Sequence, residues 1–304
     1  METISDLRIC LARLFENTYT RKVIVTFWDL FVQLFPSLIA GVLLSSVLIV
    51  CLPRDRLGAF LNRRGFLALA SAVCLGAISP IGTYAVIPFI AALMRAGTFP
   101  RAPLMAFLIA SPLINPLLFF LTRAAFGLEM ALMRVAAALV LGALGGILSF
   151  WIWKAPRSPA SPAPSTPWPG FSRHAFGVEL LKQSKFIGRI FTLSLLVAAA
   201  VSALVPADLI FRVLGGESSF TVLLAVLLGI PLYACGGGTI PVMVVLHDMG
   251  MSRGAILGFF ISGPATKAST LAALFAAMDR KTVILYLAIT LIGAFAFGMV
   301  YNLF

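Results

Sequence analysis

The chain carries GAISPIGTYAVIPFIAALMRAG at residues 76–97 and GIPLYACGGGTIPVMVVLHDMG at residues 229–250. Laid over each other at an offset of 153, Gly76 meets Gly229, Pro88 meets Pro241, Leu93 meets Leu246 and Gly97 meets Gly250. Upstream, Pro53 meets Pro206 and Asp55 meets Asp208 at the same offset. After a one-residue slip, Arg101 meets Arg253, Phe107 meets Phe259 and Pro112 meets Pro264. A hydrophobic chain built from two similar halves, each interrupted by Gly and Pro at matching places, has the pattern of a secondary transporter.

Composition sets the class around these segments. Of 304 residues, 61% are hydrophobic and 11% charged, and the mean hydropathy is +1.04. A water-soluble domain of this size has no interior large enough for that apolar surface. Apolar runs of about 20 residues predict spanning helices, each satisfying its own backbone in lipid, rather than a barrel. The expected fold is an all-α polytopic membrane protein of two repeats, about four apolar segments each, some broken or re-entrant. Residues 1–25 carry charges throughout, so no cleavable signal peptide is expected. The net charge of +12 sits in loops beside the spans, where it sets orientation and meets lipid headgroups; nucleic acid is not an expected partner. Cys10, Cys51, Cys74 and Cys235 are scattered, and with two histidines no metal site or cofactor is expected.

Four regions follow. Residues 1–25 place Ile4, Leu7, Leu11 and Leu14 at helical spacing, predicting a short amphipathic helix at the membrane surface. Repeat 1 covers 26–153, with a first span at 26–51, a segment at 66–95 broken around Ser79–Gly82, a segment at 102–122 broken at 111–116, and a span at 130–153. Residues 154–185 begin KAPRSPASPAPSTPWPGFSR, a Pro/Ser/Ala run that reads as an extended linker. Repeat 2 covers 186–304, with a span at 186–205, broken segments at 219–248 and 254–278, and a last span at 282–303.

Loop charge bears on orientation. The linker region is basic and is read as cytoplasmic. Residues 52–65 carry four arginines against one aspartate, whereas residues 206–218 carry Arg212 against Asp208 and Glu217. The asymmetry places these equivalent loops on opposite faces and the halves in inverted orientation, with 66–97 as a re-entrant hairpin. Four full spans per half, in parallel, is the alternative.

Several residues carry candidate chemistry. Three successive glycines, Gly236, Gly237 and Gly238, cost roughly 1 kcal/mol each inside a helix. They free the backbone near Cys235 and Thr239 to face a ligand, or they allow close helix packing. Lys267 lies in ISGPATKASTLAALF, where burying an ammonium costs about 2.5–3.5 kcal/mol. It reads as a substrate-binding cation or proton carrier, against a lysine that snorkels to an interface. Its repeat partner is Asn115, which with Ser111 forms a polar pair flanked by prolines. His247 and Asp248 end the second glycine-rich segment and read as a solvated helix end or a proton gate. No GxxxxGK[ST], HExxH or GxSxG occurs, and no nucleophile–base pair is evident, so an enzyme is not expected.

The motifs PLYACGGGTIPV at 231–242 and SGPATKASTLAAL at 262–274 resemble the predicted-permease family that includes the bacterial organoarsenical efflux permeases. The resemblance covers both halves and the linker. It implies a multi-pass permease of the bacterial inner membrane that exports a small solute such as a trivalent organoarsenical. Cys235 then matches the second cysteine of a Cys-x-Cys-Gly pattern, with Tyr233 at the first position. Lys267 stands where similar proteins often carry Asn, which points alternatively to a channel or permease for a small anion.

Overall fold

The structure is a computed structural model that describes residues 18–51, 66–79, 90, 100–153, 172–233 and 236–303. The expected surface helix at 4–15, the 52–65 loop, most of the 80–99 segment, residues 154–171 of the linker and Cys235 lie outside the described residues. The described residues form helices, in the order α1 (Thr18–Cys51), α2 (Phe66–Ile78), α3 (Arg101–Leu113), α4 (Pro116–Ile152), α5 (Arg173–Leu204), α6 (Ala207–Leu214), α7 (Ser219–Leu232), α8 (Gly236–Asp248), α9 (Arg253–Thr266), α10 (Ala268–Ala277) and α11 (Arg280–Tyr301). The protein is an all-α polytopic membrane protein: α1, α4, α5 and α11 are long and apolar enough to cross a bilayer. Even the shortest of these, 22 residues, reaches about 33 Å at 1.5 Å per residue.

Helix ends follow local chemistry. Ser172, Ser218, Ser252 and Asp279 cap α5, α7, α9 and α11 by accepting the N–H three residues on, each satisfying one of the orphan donors of a first turn. Asn115 does the same for α4, its Oδ1 accepting from the Leu118 N–H at 2.9 Å, with Pro116 at N1, where no N–H is missed. Chain breaks fall where prolines precede them: Pro112 before the extended Ile114–Asn115 and Pro264 before Lys267.

Three boundaries differ from those read in the sequence. The gap expected at 123–129 is a kink inside α4, made at Gly127 by φ 88°, a conformation that disfavours a side chain. The α5 helix starts at Arg173, so residues 173–185 of the expected linker are helical. Their polar and charged side chains lower the hydropathy without interrupting the helix. The 206–218 loop contains α6, an eight-residue amphipathic helix capped by Pro206 and Gly215.

The core forms where small residues let backbones approach. A Cβ on Gly76 would lie 3.1 Å from the Phe107 carbonyl oxygen and 3.3 Å from the Ser111 nitrogen; on Gly229 it would lie 3.4 Å from the Phe259 carbonyl oxygen and 3.2 Å from the Gly263 nitrogen. Gly146 abuts the Ala102 carbonyl, and Gly298 abuts the Gly254 carbonyl. Close approach through glycine is the usual means of helix association where lipid offers no hydrophobic drive. α1 packs along α5, and the start of α1 meets the end of α5, with Thr26 Oγ1 3.4 Å from Ser202 Oγ.

Two ion pairs mark opposite ends of α11. Arg101 Nη1 lies 3.3 Å from Asp279 Oδ1 at its start, and Arg101 also sits over the Trp153 ring at 5.1 Å. At its other end Arg253 Nη1 lies 3.6 Å from Glu129 Oε2, with Tyr301 interacting with both.

Candidate functional site: a buried guanidinium at the helix breaks

Arg134 sits in the second part of α4, five residues beyond Glu129, and is 1% exposed. Its Nη1 donates to Thr122 Oγ1 at 2.6 Å and its Nη2 to the Leu113 carbonyl at 3.2 Å. Thr122 is itself held by donating to the Leu118 carbonyl at 2.6 Å. The guanidinium carbon lies 4.4 Å from the centre of the Phe260 ring. Tyr233, the C-cap of α7, is within hydrogen-bonding reach as well. Arg134 Nε has no hydrogen-bond partner among the described residues.

The local reasons for this geometry are clear. Leu113 ends α3, so its carbonyl has no intrahelical partner and lies at the negative end of the helix dipole, where a cation is favoured. The Gly127 kink swings the second part of α4 so that Arg134 returns to the break that its own first part leaves. Gly263 has no room for a Cβ because the Tyr233 ring occupies that space. The α7 end thereby closes onto α9, and Tyr233 lies 6.1 Å from Phe259, centroid to centroid.

Magnitudes explain how the charge is tolerated. Placing an arginine deep in a bilayer costs about 2.5–3.5 kcal/mol on insertion scales. Hydrogen bonds to a charged group contribute about 1.5–3 kcal/mol each, and a desolvated cation–π contact about 2 kcal/mol. Two such bonds and the Phe260 face offset the cost without a counter-ion. Among the described residues no carboxylate pairs with Arg134.

The residues singled out in the sequence distribute around this centre. Ser111 is buried in the last turn of α3, and Asn115 is half-buried in the adjoining break, its Oδ1 engaged as the α4 cap. Lys267 is 9% exposed and forms the break between α9 and α10. Its N–H donates to the Gly263 carbonyl at 3.0 Å, and its carbonyl accepts from Thr270 and Leu271. Gly236, Gly237 and Gly238 are helical and form the first turn of α8. The departure from helix therefore precedes the glycines, beginning at the extended Tyr233. Gly237 faces Leu121, and Gly238 and Thr239 face an apolar cavity enclosed by α5–α8. Neighbouring hydroxyls are satisfied by backbone: Ser262 donates to Val226, Thr266 to Ser262 and Thr270 to Pro264.

From Arg134 an aromatic column runs toward the Arg253 end of the molecule. Phe260 meets Phe126 edge-on at 5.7 Å, and Phe126 meets His247 at 5.8 Å. His247 Nδ1 is 3.1 Å from the Met251 carbonyl in the turn that follows α8.

Arg134 is the residue that sequence reasoning missed. A lone arginine in MALMRVAAALVLGALGG, 130–146, was the available signal. Its depth depends on the Gly127 kink, which no periodicity reveals.

Interrupted helices meeting around buried polar groups within a multi-pass bundle define the class, a membrane permease. A family model described as a predicted permease, ArsP_1, matches residues 20–303. The chain belongs to that family. A relative from Bacillus subtilis (strain 168), the UPF0718 protein YcgR, is 26% identical over 127 residues. That match spans 41% of this chain and 43% of the relative, less than half of either. No solved structure matches.

Proposed function

We propose that this permease is a secondary transporter of the bacterial inner membrane that exports a small solute such as a trivalent organoarsenical. The observation that carries the transport mechanism is the convergence of two helix breaks, after Leu113 and after Leu232, on the Arg134 guanidinium in the interior. Broken helices at membrane depth are the usual construction of a transporter's binding site. In this mechanism Cys235 binds a soft trivalent centre through its thiolate. Gly236, Gly237 and Gly238 permit close approach, and Thr239, Ser111, Asn115 and Lys267 supply polar contacts.

Two inverted repeats, 26–153 and 186–304, would rock against each other to give alternating access. Support comes from the paired contacts of Gly76 with Phe107 and Gly229 with Phe259, and of Gly146 with Ala102 and Gly298 with Gly254. Each pair sits at the repeat offset.

A second reading has its own observation. Arg134 and Lys267 are both buried cations, and a small anion bound between the breaks would neutralise the charge at Arg134, which no carboxylate among the described residues meets. Selectivity for anions would then be electrostatic, in a permease or a channel.

The test is protection of a metalloid-sensitive bacterium against inorganic and methylated arsenicals, with Cys235→Ser alongside. Protection lost in the variant supports thiol-dependent export. Absence of protection by wild-type protein present in the membrane removes the arsenical and leaves the anion, to be sought by anion flux into vesicles with Lys267→Ala as control.

A further inference from the structure

We infer that the cavity enclosed by α5, α6, α7 and α8 is a binding site for a small, uncharged, largely apolar molecule with one hydrogen-bonding group, loaded from the bilayer. The cavity measures about 580 Å³, within the ordinary range for small-molecule pockets. None of the described residues lining it is charged, so an ion entering it would lose its hydration without replacement. Its inner wall is Gly238, Thr239, Val242 and Met243 of α8, with Phe259 behind. Its outer wall includes Leu193 and Val197 of α5, Leu209 and Val213 of α6 and Leu232 of α7, all exposed on the surface. On a membrane protein that surface meets lipid, so the opening faces the acyl chains or their boundary with the headgroups.

One polar feature separates this cavity from a lipid-filled gap. Ser194 lines it, is 7% exposed, and its hydroxyl has no hydrogen-bond partner among the described residues. Helical serines ordinarily return such a proton to a carbonyl one turn back, and a buried hydroxyl without a partner is unfavourable. A turn of the Ser194 side chain about χ1 would present the hydroxyl to the cavity, where a ligand oxygen or nitrogen supplies the missing bond. The inference rests on the proposal that the glycine turn belongs to the transport site, since Gly238 and Thr239 are its inner wall, and it names the class of molecule presented there.

The experiment photolabels the full chain in lipid nanodiscs with 4-(trifluoromethyl-diazirinyl)benzyl alcohol, a neutral aromatic alcohol that partitions into bilayers, and maps adducts by peptide mass spectrometry. The expected result is saturable labelling of α5, α7 and α8, competed by plain benzyl alcohol analogues. Ser194→Ala should weaken the apparent affinity by roughly threefold to tenfold, the worth of one hydrogen bond, and Val242→Trp should abolish saturation by filling the space. Labelling that rises linearly with probe and matches the lipid-facing sides of α1 and α4 overturns the site, because an acyl chain then fills it. Should the tryptophan variant fail to fold, saturation and competition in the wild type decide alone. Saturable labelling without solute flux keeps this site and removes the transport proposal; flux without saturable labelling does the reverse.

Discussion

Leu141 occupies the space that a side chain on Gly293 would need, and these two residues are as far apart in sequence as Arg101 and Arg253. Four residues further along α4, Gly145 packs toward Ile289, four residues earlier on α11. The two helices therefore run antiparallel where they cross. A two-fold axis passing between Leu141 and Gly293 is what the proposed inverted repeats require. Replacing Gly293 with Leu should destabilise by about 1–3 kcal/mol through overpacking and lower the thermal midpoint in detergent. Gly177→Ala, where a Cβ meets nothing within 4 Å, should be neutral or stabilising by up to about 1 kcal/mol through helix propensity. Equal midpoints for Gly293→Leu and wild type would mean that the α4–α11 seam does not hold the halves together.

The same geometry predicts sidedness. Trp153 follows α4 near Arg101 and Asp279, whereas Leu303 follows α11 beyond Tyr301, near Arg253 and Glu129. In a cysteine-free background, Trp153→Cys and Leu303→Cys should react with a membrane-impermeant maleimide from opposite faces of the membrane. Labelling of both from the same face would establish parallel repeats and remove the rocking mechanism.

Asp279 gives a pH dependence with a definite sign. Burial pushes its carboxyl up, but the Thr282 hydroxyl and N–H and the Arg101 guanidinium outweigh burial and hold it below the usual carboxylate range. A group depressed on folding stabilises fully above its unfolded value, about 3.9, and loses that contribution as pH falls through the lower folded value. Asp279→Ala should cost about 1 kcal/mol as a lost N-cap at neutral pH. The gap in thermal midpoint between wild type and variant should hold from pH 7 to about 4 and narrow below it. A gap unchanged at pH 3 would show that the neutral acid caps as well as the carboxylate. The Arg101 pair is half-exposed, so its own contribution should fade with salt.

Hydropathy made the spans legible, and prolines marked the breaks at Ile114–Asn115 and Lys267, because both signals are local. The start of α5 was not legible. Residues such as Lys182, Lys185 and Arg189 lower hydropathy while leaving helix propensity intact, so the helix outruns its apolar stretch. Gly127 falls between the expected segments 102–122 and 130–153, and its kink was not legible because a positive φ bends a helix at one residue and leaves no composition signal. The three glycines pointed to unwound backbone on propensity alone; α8 accommodates them as its first turn, packed between α4 and the cavity. Candidate residues at the breaks could be named, but which of them share a space depends on how α4, α7 and α9 cross, and pairwise crossing is not encoded in any one segment.

Arg134 allows structure and function to be separated experimentally. A buried ion without a counter-charge is a poor stabiliser: replacing such a group with an apolar one of similar volume is often neutral or stabilising by 1–4 kcal/mol. Arg134→Met removes the charge and retains much of the packing against Phe260, leaving the Leu113 carbonyl and Thr122 hydroxyl with one acceptor bond fewer. Its thermal midpoint should stay within about 5 °C of wild type, or rise. Transport should fall at least a hundredfold, because the Arg134 guanidinium is the group on which the α3 and α7 ends converge. Arg134→Lys should recover less than a tenth of the lost flux, since an ammonium lacks the planar face that stacks on Phe260 and the fork that spans Thr122 and Leu113. Flux near wild type in a stable Arg134→Met protein would reduce the guanidinium to a latch between helix ends and leave Lys267 as the cation of the site. Loss of stability in step with loss of flux would assign Arg134 to folding rather than to the solute.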